Sequence, residues 1–215
     1  MTSLPDTHIK LLFPSLLYSN TVSISEEYRC SLIQFIRDRI AQLDNSKGNE
    51  FDVQTTYFDD DVTPYDMRIP LFEEITAKID DHVSMYCKEA GYPSTVCPKT
   101  MLKTYWGSIS KHGQCHFLHH HGNSKISGVY YLQVPTDKQL TLIFQGSANQ
   151  NRYEDKFGSA ADNVDGRVKH ALHSDEHLEP IRTDQILIFN GGTMHGYMPN
   201  PSKTDKITIA FNYSF

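Results

Sequence analysis

The apolar pattern of this chain changes period at Gly91, and that change limits what it can fold into. Before Gly91 the spacing is helical. Ser25 followed by Glu26 and Glu27 reads as a helix start, because a serine oxygen caps exposed amides and acids suit the positive helix end. Leu32, Ile33, Phe35, Ile36, Ile40 and Leu43 then share one broad face, and Asn45 to Asn49 ends the helix. A second helix has Pro70 in its first turn and a stripe of Phe72, Ile75, Ile79, Val83 and Tyr86, and Gly91 terminates it. Both stripes read as packing faces.

After Gly91 the segments are short and rich in β-branched and aromatic residues: Lys99 to Ile109, Gly128 to Val134, Leu140 to Phe144, Gln185 to Asn190 and Lys206 to Tyr213. Helices first and strands afterwards predict a mainly β chain of α+β type, with the helices outside a β-sandwich or barrel. The 215 residues suit one domain, with 1–98 as a helical support region and 99–215 as the β core. Gly146 to Glu179 breaks the rhythm. It is long and polar, with Gly158 and Gly166 as hinges, and reads either as a lid or as a disordered insertion.

Charge and composition narrow the function. A net charge of -6 argues against broad binding to nucleic acid or anionic membranes, which need a basic face. No apolar stretch is long enough to span a bilayer. The start, MTSLPDTHIKLLFPSLLYS, lacks the features of a signal peptide. Cys30, Cys87, Cys97 and Cys115 show no CxxC spacing and read as free thiols, so a cytoplasmic location is expected. No protein nucleophile with an acid–base partner is recognisable.

Histidine carries the strongest chemical signal. In HFLHHHGNSKISGVYYL an extended chain would point His119 and His121 to one face and His120 to the other. This H-x-H spacing lets one strand end offer two ligands to one ion. After the apolar strand Gln185 to Phe189, Gly191 and Gly192 turn the chain and His195 follows. Two strand ends meeting across a barrel mouth would bring His195 to the same ion. The alternative is that all three are solvated or packed loop histidines. His8, His82, His112, His116, His170, His173 and His177 lack supporting geometry and read that way. In the last strand, alternation places Lys206, Thr208, Ala210 and Asn212 on one face and Ile207, Ile209 and Phe211 on the other. A cation aimed into an apolar barrel needs a partner, most naturally a carboxylate. The alternative is a solvated charge at a strand end.

These residues carry a resemblance. HHHGNSKISGVYYLQVP is similar to the H-x-D region and following Tyr-Tyr-Leu strand of prolyl-4-hydroxylase-type 2-oxoglutarate and iron(II)-dependent dioxygenases. Within that superfamily the chain resembles a microbial and phage group. That group has an H-x-H-P-x-S-x-x-S-G-V-Y-Y-L-like stretch and a chain end like H-x-V-x-P-N…R-I-S-I-S-F-N. The resemblance covers about residues 99 to 215. It implies a double-stranded β-helix (jelly-roll) core flanked by helices. It implies His119, His121 and His195 as ligands to Fe(II), and Lys206 with Thr208 binding the distal carboxylate of the co-substrate 2-oxoglutarate. Tyr131 would hydrogen-bond the same carboxylate, while Tyr130 faces away and packs. Oxygen is the other co-substrate, and the product is a hydroxylated C–H bond, with prolyl hydroxylation of a peptide or protein or reaction on a small molecule as candidate uses.

Two departures from the family pattern matter. His121 stands where two histidines are usually joined by a carboxylate, so the metal keeps more positive charge. Lys206 replaces the commoner arginine and supplies a point charge in place of a bidentate fork. Two other readings stay open: a three-histidine cupin-like dioxygenase that uses no 2-oxoglutarate, and an inactive metal-binding interaction domain.

Overall fold

In the computed structural model the described residues are 15–43, 53–57, 69–96, 98–146 and 176–214. They form two antiparallel sheets and two helices. The strands are β1 (Leu17–Thr21), β2 (Gln54–Thr55), β3 (Leu102–Ser110), β4 (His116–His119), β5 (Ile126–Gln133), β6 (Thr141–Gln145), β7 (Glu176–Pro180), β8 (Gln185–Asn190), β9 (Met194–Tyr197) and β10 (Lys206–Ser214). The helices are α1 (Glu26–Gln42) and α2 (Glu73–Glu89). The larger sheet runs β1-β8-β5-β10-β3-β2 and the smaller β4-β9-β6-β7. This is the double-stranded β-helix expected from the sequence.

The helices start where their sequences direct. Ser25 Oγ accepts the amide of Tyr28 at 3.2 Å, with Glu26 and Glu27 in the first turn. Pro70 opens a short 3₁₀ turn, Pro70–Phe72, and α2 follows at Glu73. Leu32, Ile36, Ile75, Ile79 and Val83 pack with Ile207, Ile209, Phe211 and Tyr213 of β10. The opposite face of the same sheet gives Val129, Tyr131, Leu187 and Phe189, which meet Leu142 and Phe144 of β6 between the sheets. Tyr130 and Tyr131 therefore serve different cores, as alternation requires. Side chains of this size contribute about 2 kcal/mol each when buried. Helix α1 lies close on β3 at Gly107, where an added methyl would sit 2.7 Å from Ile36 Cγ1.

Several boundaries differ from those expected. The strand expected from Lys99 begins at Leu102, because Pro98–Thr100 forms a 3₁₀ turn. Strands β1, β2, β4 and β9 are too short for their periodicity to stand out. Two of them, β1 and β2, come from the region expected to be helical. The end of the polar segment Gly146 to Glu179 belongs to β7, which pairs with β6 through Leu142↔Glu179 and Phe144↔His177. It reads as polar because β7 is an edge strand that is mostly exposed. Residues 147–175, with Gly158 and Gly166, lie outside the described residues. Among the described residues no helix is long and apolar enough to cross a membrane, and Cys30, Cys87 and Cys115 are free thiols.

One polar cluster ties helix to sheet. Arg29 of α1 is buried and donates to the carbonyl of Leu132 at 3.0 Å and to Asp184 at 2.9 Å. The hydroxyl of Tyr130 reaches Asp184 Oδ1 at 2.8 Å. Asp184 has a φ of 67°, a conformation that its short polar side chain tolerates. Replacing Asp184 by Ala leaves the buried guanidinium with only the exposed Glu26 and the Leu132 carbonyl as partners and should cost about 3 kcal/mol. Asp184→Asn, which keeps shape and backbone preference, should cost less than half of that. Urea unfolding of the two variants checks the order; equal losses would show that the carboxylate's charge alone, and not its shape or backbone preference, carries the effect.

Candidate metal centre

Strands β4 and β9 pair at one mouth of the barrel, and His119 lies directly opposite His195. His121 is beyond the end of β4, in a turn closed by the Ser124 amide donating to the His121 carbonyl at 2.8 Å. The His121 amide donates to the Gly191 carbonyl at 2.7 Å, which fastens this turn to the end of β8. Alternation along one continuous strand would bring His119 and His121 together; here a turn does so. The three imidazoles converge, with one ligand nitrogen from each within 4.8 Å of the others. Ring centroids are 4.4 Å apart for His119 and His195, and 5.1 Å for His121 and either neighbour.

Hydrogen bonds prepare these rings for a metal. His119 Nδ1 contacts the carbonyl of Phe117 and His195 Nδ1 that of Thr193, each at 2.8 Å. A carbonyl can only accept, so each Nδ1 carries the proton and each Nε2 keeps its lone pair. His121 Nδ1 instead faces the side-chain amide of Asn212 at 3.0 Å. Burial lowers the pKa of all three, that of His121 to about 4 and that of His195 well below the usual value. They are neutral at physiological pH, the form that ligates. Trp106 stacks on His121 with centroids 5.7 Å apart, and Phe189 meets His195 edge-on at 4.6 Å. Three neutral nitrogens with aromatic walls fit a divalent transition metal.

The cavity that the histidines line is also walled by β10. Lys206, Thr208 and Ala210 line it, as alternation predicts, and Asn212 reaches the metal-binding end. Lys206 is only 4% exposed. Among the described residues no carboxylate forms an ion pair with it, and desolvation lowers its pKa well below the ordinary lysine value. Its Nζ sits 2.9 Å from the centre of the Tyr197 ring. Tyr131 is fully buried, and its hydroxyl meets that of Tyr197 at 2.6 Å. It is Tyr197, and not Tyr131, that lines the cavity. On the outer side a groove of about 220 Å³ opens past Trp106, Tyr57, His120 and His121.

Two residues were not legible as part of this site. His116 lines the cavity, stacks on His119 at 4.1 Å, and has its pKa lowered to about 3, first by burial and then by His119 and Lys206. In a regular strand residues three apart face opposite ways. A register shift between His116 and His119 adds the step that turns both to one side. Tyr197 sits in a four-residue strand whose alternation is too brief to read. His82 accepts from or donates to Tyr18, and His112 contacts the Ser202 carbonyl, so both pack as expected. His177 lies exposed on β7, and His8, His170 and His173 lie outside the described residues.

Gly191 sets where His121 stands. A methyl there would lie 2.3 Å from the Ser124 carbonyl oxygen and push the turn away. Gly191→Ala should therefore weaken Co(II) binding about tenfold or more, by displacing one ligand of three. A titration followed by visible absorption measures this; unchanged affinity would mean that His121 is not a ligand.

Known proteins share the fold. Residues 104–212 match the family described as "Putative 2OG-Fe(II) oxygenase". The fold is similar to that of a Pseudomonas putida prolyl-4-hydroxylase, with a TM-score of 0.57 at 11% identity over 92% of this chain and 91% of that one. It is also similar to HygX from Streptomyces hygroscopicus with nickel, 2-oxoglutarate and hygromycin B bound, with a TM-score of 0.56 at 14% identity over 92% and 82% of the two chains. A Trichoplax adhaerens prolyl hydroxylase in complex with a hypoxia inducible factor peptide gives 0.56 at 12% identity over 92% and 83%. No curated protein matches the sequence. The family match spans half of the chain and includes His119, His121, His195 and Lys206, so this protein belongs to the 2OG-Fe(II) oxygenases, whose cofactor is Fe(II) and whose co-substrate is 2-oxoglutarate.

Proposed function

We propose that this oxygenase hydroxylates an unactivated C–H bond, with His119, His121 and His195 holding the metal and Lys206 and Thr208 holding the distal carboxylate of 2-oxoglutarate. The observation that carries this reading is Lys206: a buried ammonium without a carboxylate partner among the described residues, in a cavity whose mouth is three neutral imidazoles. An unpaired buried cation is costly, and a bound carboxylate relieves that cost. A cupin-like site that takes no 2-oxoglutarate gives Lys206 nothing to do. Fe(II), when bound, supplies the redox chemistry that couples oxygen and the conversion of 2-oxoglutarate to succinate and carbon dioxide with insertion of one oxygen atom into the substrate.

The chain's own residues do the rest. Lys206 and Thr208 fix one end of the co-substrate, so that its keto acid end points toward the histidines. The Tyr197 ring packs under the ammonium, and Tyr131 acts through Tyr197 by anchoring its hydroxyl. Trp106, Phe189 and Val129 keep water from the reacting centre. The outer groove is the substrate side. Tyr57 and Trp106 meet there edge to face at 5.1 Å, an apolar aromatic corner suited to a proline ring in a peptide. Peptidyl proline is the first substrate to test, and a small molecule the second.

Anaerobic addition of Fe(II) and then 2-oxoglutarate should produce a weak visible charge-transfer band only when both are present. His195→Ala should abolish metal binding. Lys206→Met should keep the metal, lose at least about a hundredfold in 2-oxoglutarate affinity, and raise the melting temperature of the ligand-free protein by removing a desolvated charge. A Lys206→Met variant that produces succinate like wild type would overturn the co-substrate assignment. Metal bound with no succinate formed from any substrate would favour the inactive interaction domain.

Binding should also depend on pH in a defined direction. The Lys206 ammonium loses its proton at lower pH than an exposed lysine, and a bound carboxylate favours the protonated form. Affinity for 2-oxoglutarate should therefore fall as pH rises through this lowered pKa. Lys206→Arg, which stays charged, should remove that loss. Calorimetry from acidic to alkaline pH checks both.

A further inference from the structure

His121 is held differently from the other two ligands. His119 and His195 each give their Nδ1 proton to the carbonyl two residues earlier, a local bond that the strand itself provides. His121 lies in a turn, and the atom beside its Nδ1 is the side-chain amide nitrogen Nδ2 of Asn212 at 3.0 Å. Asn212 Oδ1 in turn accepts from Ser127 Oγ at 2.7 Å. Asn212 and Ser127 are direct partners in the β10–β5 register, so this polar pair is built into the sheet. Trp106 covers a face of the imidazole.

Ligation decides which way the amide must point. With Asn212 occupying Nδ1, the nitrogen left for a metal is Nε2, and its lone pair is free only if the proton is on Nδ1. Nδ1–H then needs an acceptor, which Asn212 Oδ1 can be and Nδ2 cannot. The two ends of an amide have the same shape, and a half-turn exchanges them without moving either neighbour. In that orientation Nδ2 donates to Ser127 Oγ. We infer that Asn212, backed by Ser127, is a positioning residue for the metal centre: its carbonyl fixes the tautomer and ring plane of His121. This rests on His121 being a ligand. It carries a second consequence. A neutral carbonyl adds no negative charge behind a neutral ligand, so the metal's charge stays available to the anionic co-substrate.

The test is a set of Co(II) titrations followed by visible absorption, with urea unfolding as a control for folding. Asn212→Leu, which keeps volume and removes the acceptor, should weaken Co(II) binding about ten- to a hundredfold and change the absorption bands of whatever Co(II) is bound. Ser127→Ala, which removes only the far end of the chain of contacts, should cause a smaller loss in the same direction. Asn212→Asp supplies a stronger acceptor in the same place. It should bind Co(II) at least as tightly as wild type, while calorimetry on the Co(II)-loaded protein shows weaker 2-oxoglutarate binding. Asn212→Asp as weak in Co(II) as Asn212→Leu would mean that the amide nitrogen is the group that matters, and would overturn the inference. Asn212→Leu binding like wild type would also overturn it. A wild-type protein that gives no Co(II) bands, like His195→Ala, would instead overturn the metal reading on which it rests.

Discussion

Strand β10 cannot shift by one residue without destroying two things at once. Its odd positions, Ile207, Ile209, Phe211 and Tyr213, fill the core under the helices. Its even positions, Lys206, Thr208 and Ala210, line the cavity, and Asn212 reaches His121. A slip would place a lysine among the helix contacts and an isoleucine in the cavity. The strand is paired with β3 from Lys206 to Ser214 without a break, and with β5 from Ile207 to Tyr213 with one register step between Ile207 and Thr208, so its register is held from both sides. Burial of the apolar face thus supplies the stability that keeps a desolvated cation on the other.

The charge balance of the site follows from what is missing from its walls. Neither the cavity nor the outer groove is lined by an aspartate or glutamate among the described residues. Three neutral imidazoles leave a bound divalent metal with its full charge, and Lys206 adds another cation at the far end. Among the described residues no carboxylate lines the cavity to balance this pair. A dicarboxylate spanning the cavity would neutralise both ends. The departures that set this chain apart from the usual pattern, histidine for carboxylate and lysine for arginine, are therefore linked through one ligand. On the proposed reading the first would strengthen the pull on the anion at the metal, and the second would give a less directional hold at the other end.

Much of this was legible from residue spacing. The two-period pattern around Gly91 separates helices from strands, and alternation in β10 assigns its faces residue by residue. By spacing alone the H-x-H pair and His195 are a weak signal; they stand out through the family resemblance, in which two separated motifs agree in order. What stayed hidden depends on local irregularity or on brief elements. His116 joins the site through a register shift, and no residue type marks one in advance. Tyr197 belongs to a strand of four residues. Tyr131 occupies the expected strand position, but the side chain facing the cavity comes from its neighbour across the sheets. The polar end of β7 looks like loop because an edge strand with an exposed face has no reason to be apolar.

The three candidate ligands also differ in how rigidly they are held. His119 and His195 sit opposite one another on paired strands, and each ring is oriented by its own backbone. His121 depends on contacts from elsewhere: the Gly191 carbonyl for its backbone and Asn212 for its ring. Two ligands are thus a property of the barrel wall, and the third is a property of how β8 and β10 meet the turn. The candidate ligand held from elsewhere stacks on Trp106, at the outer groove that His119 also lines. A movement of Trp106 would therefore reach His121 directly through that stacking, whereas the His119 and His195 rings are each tied to their own strand's carbonyl.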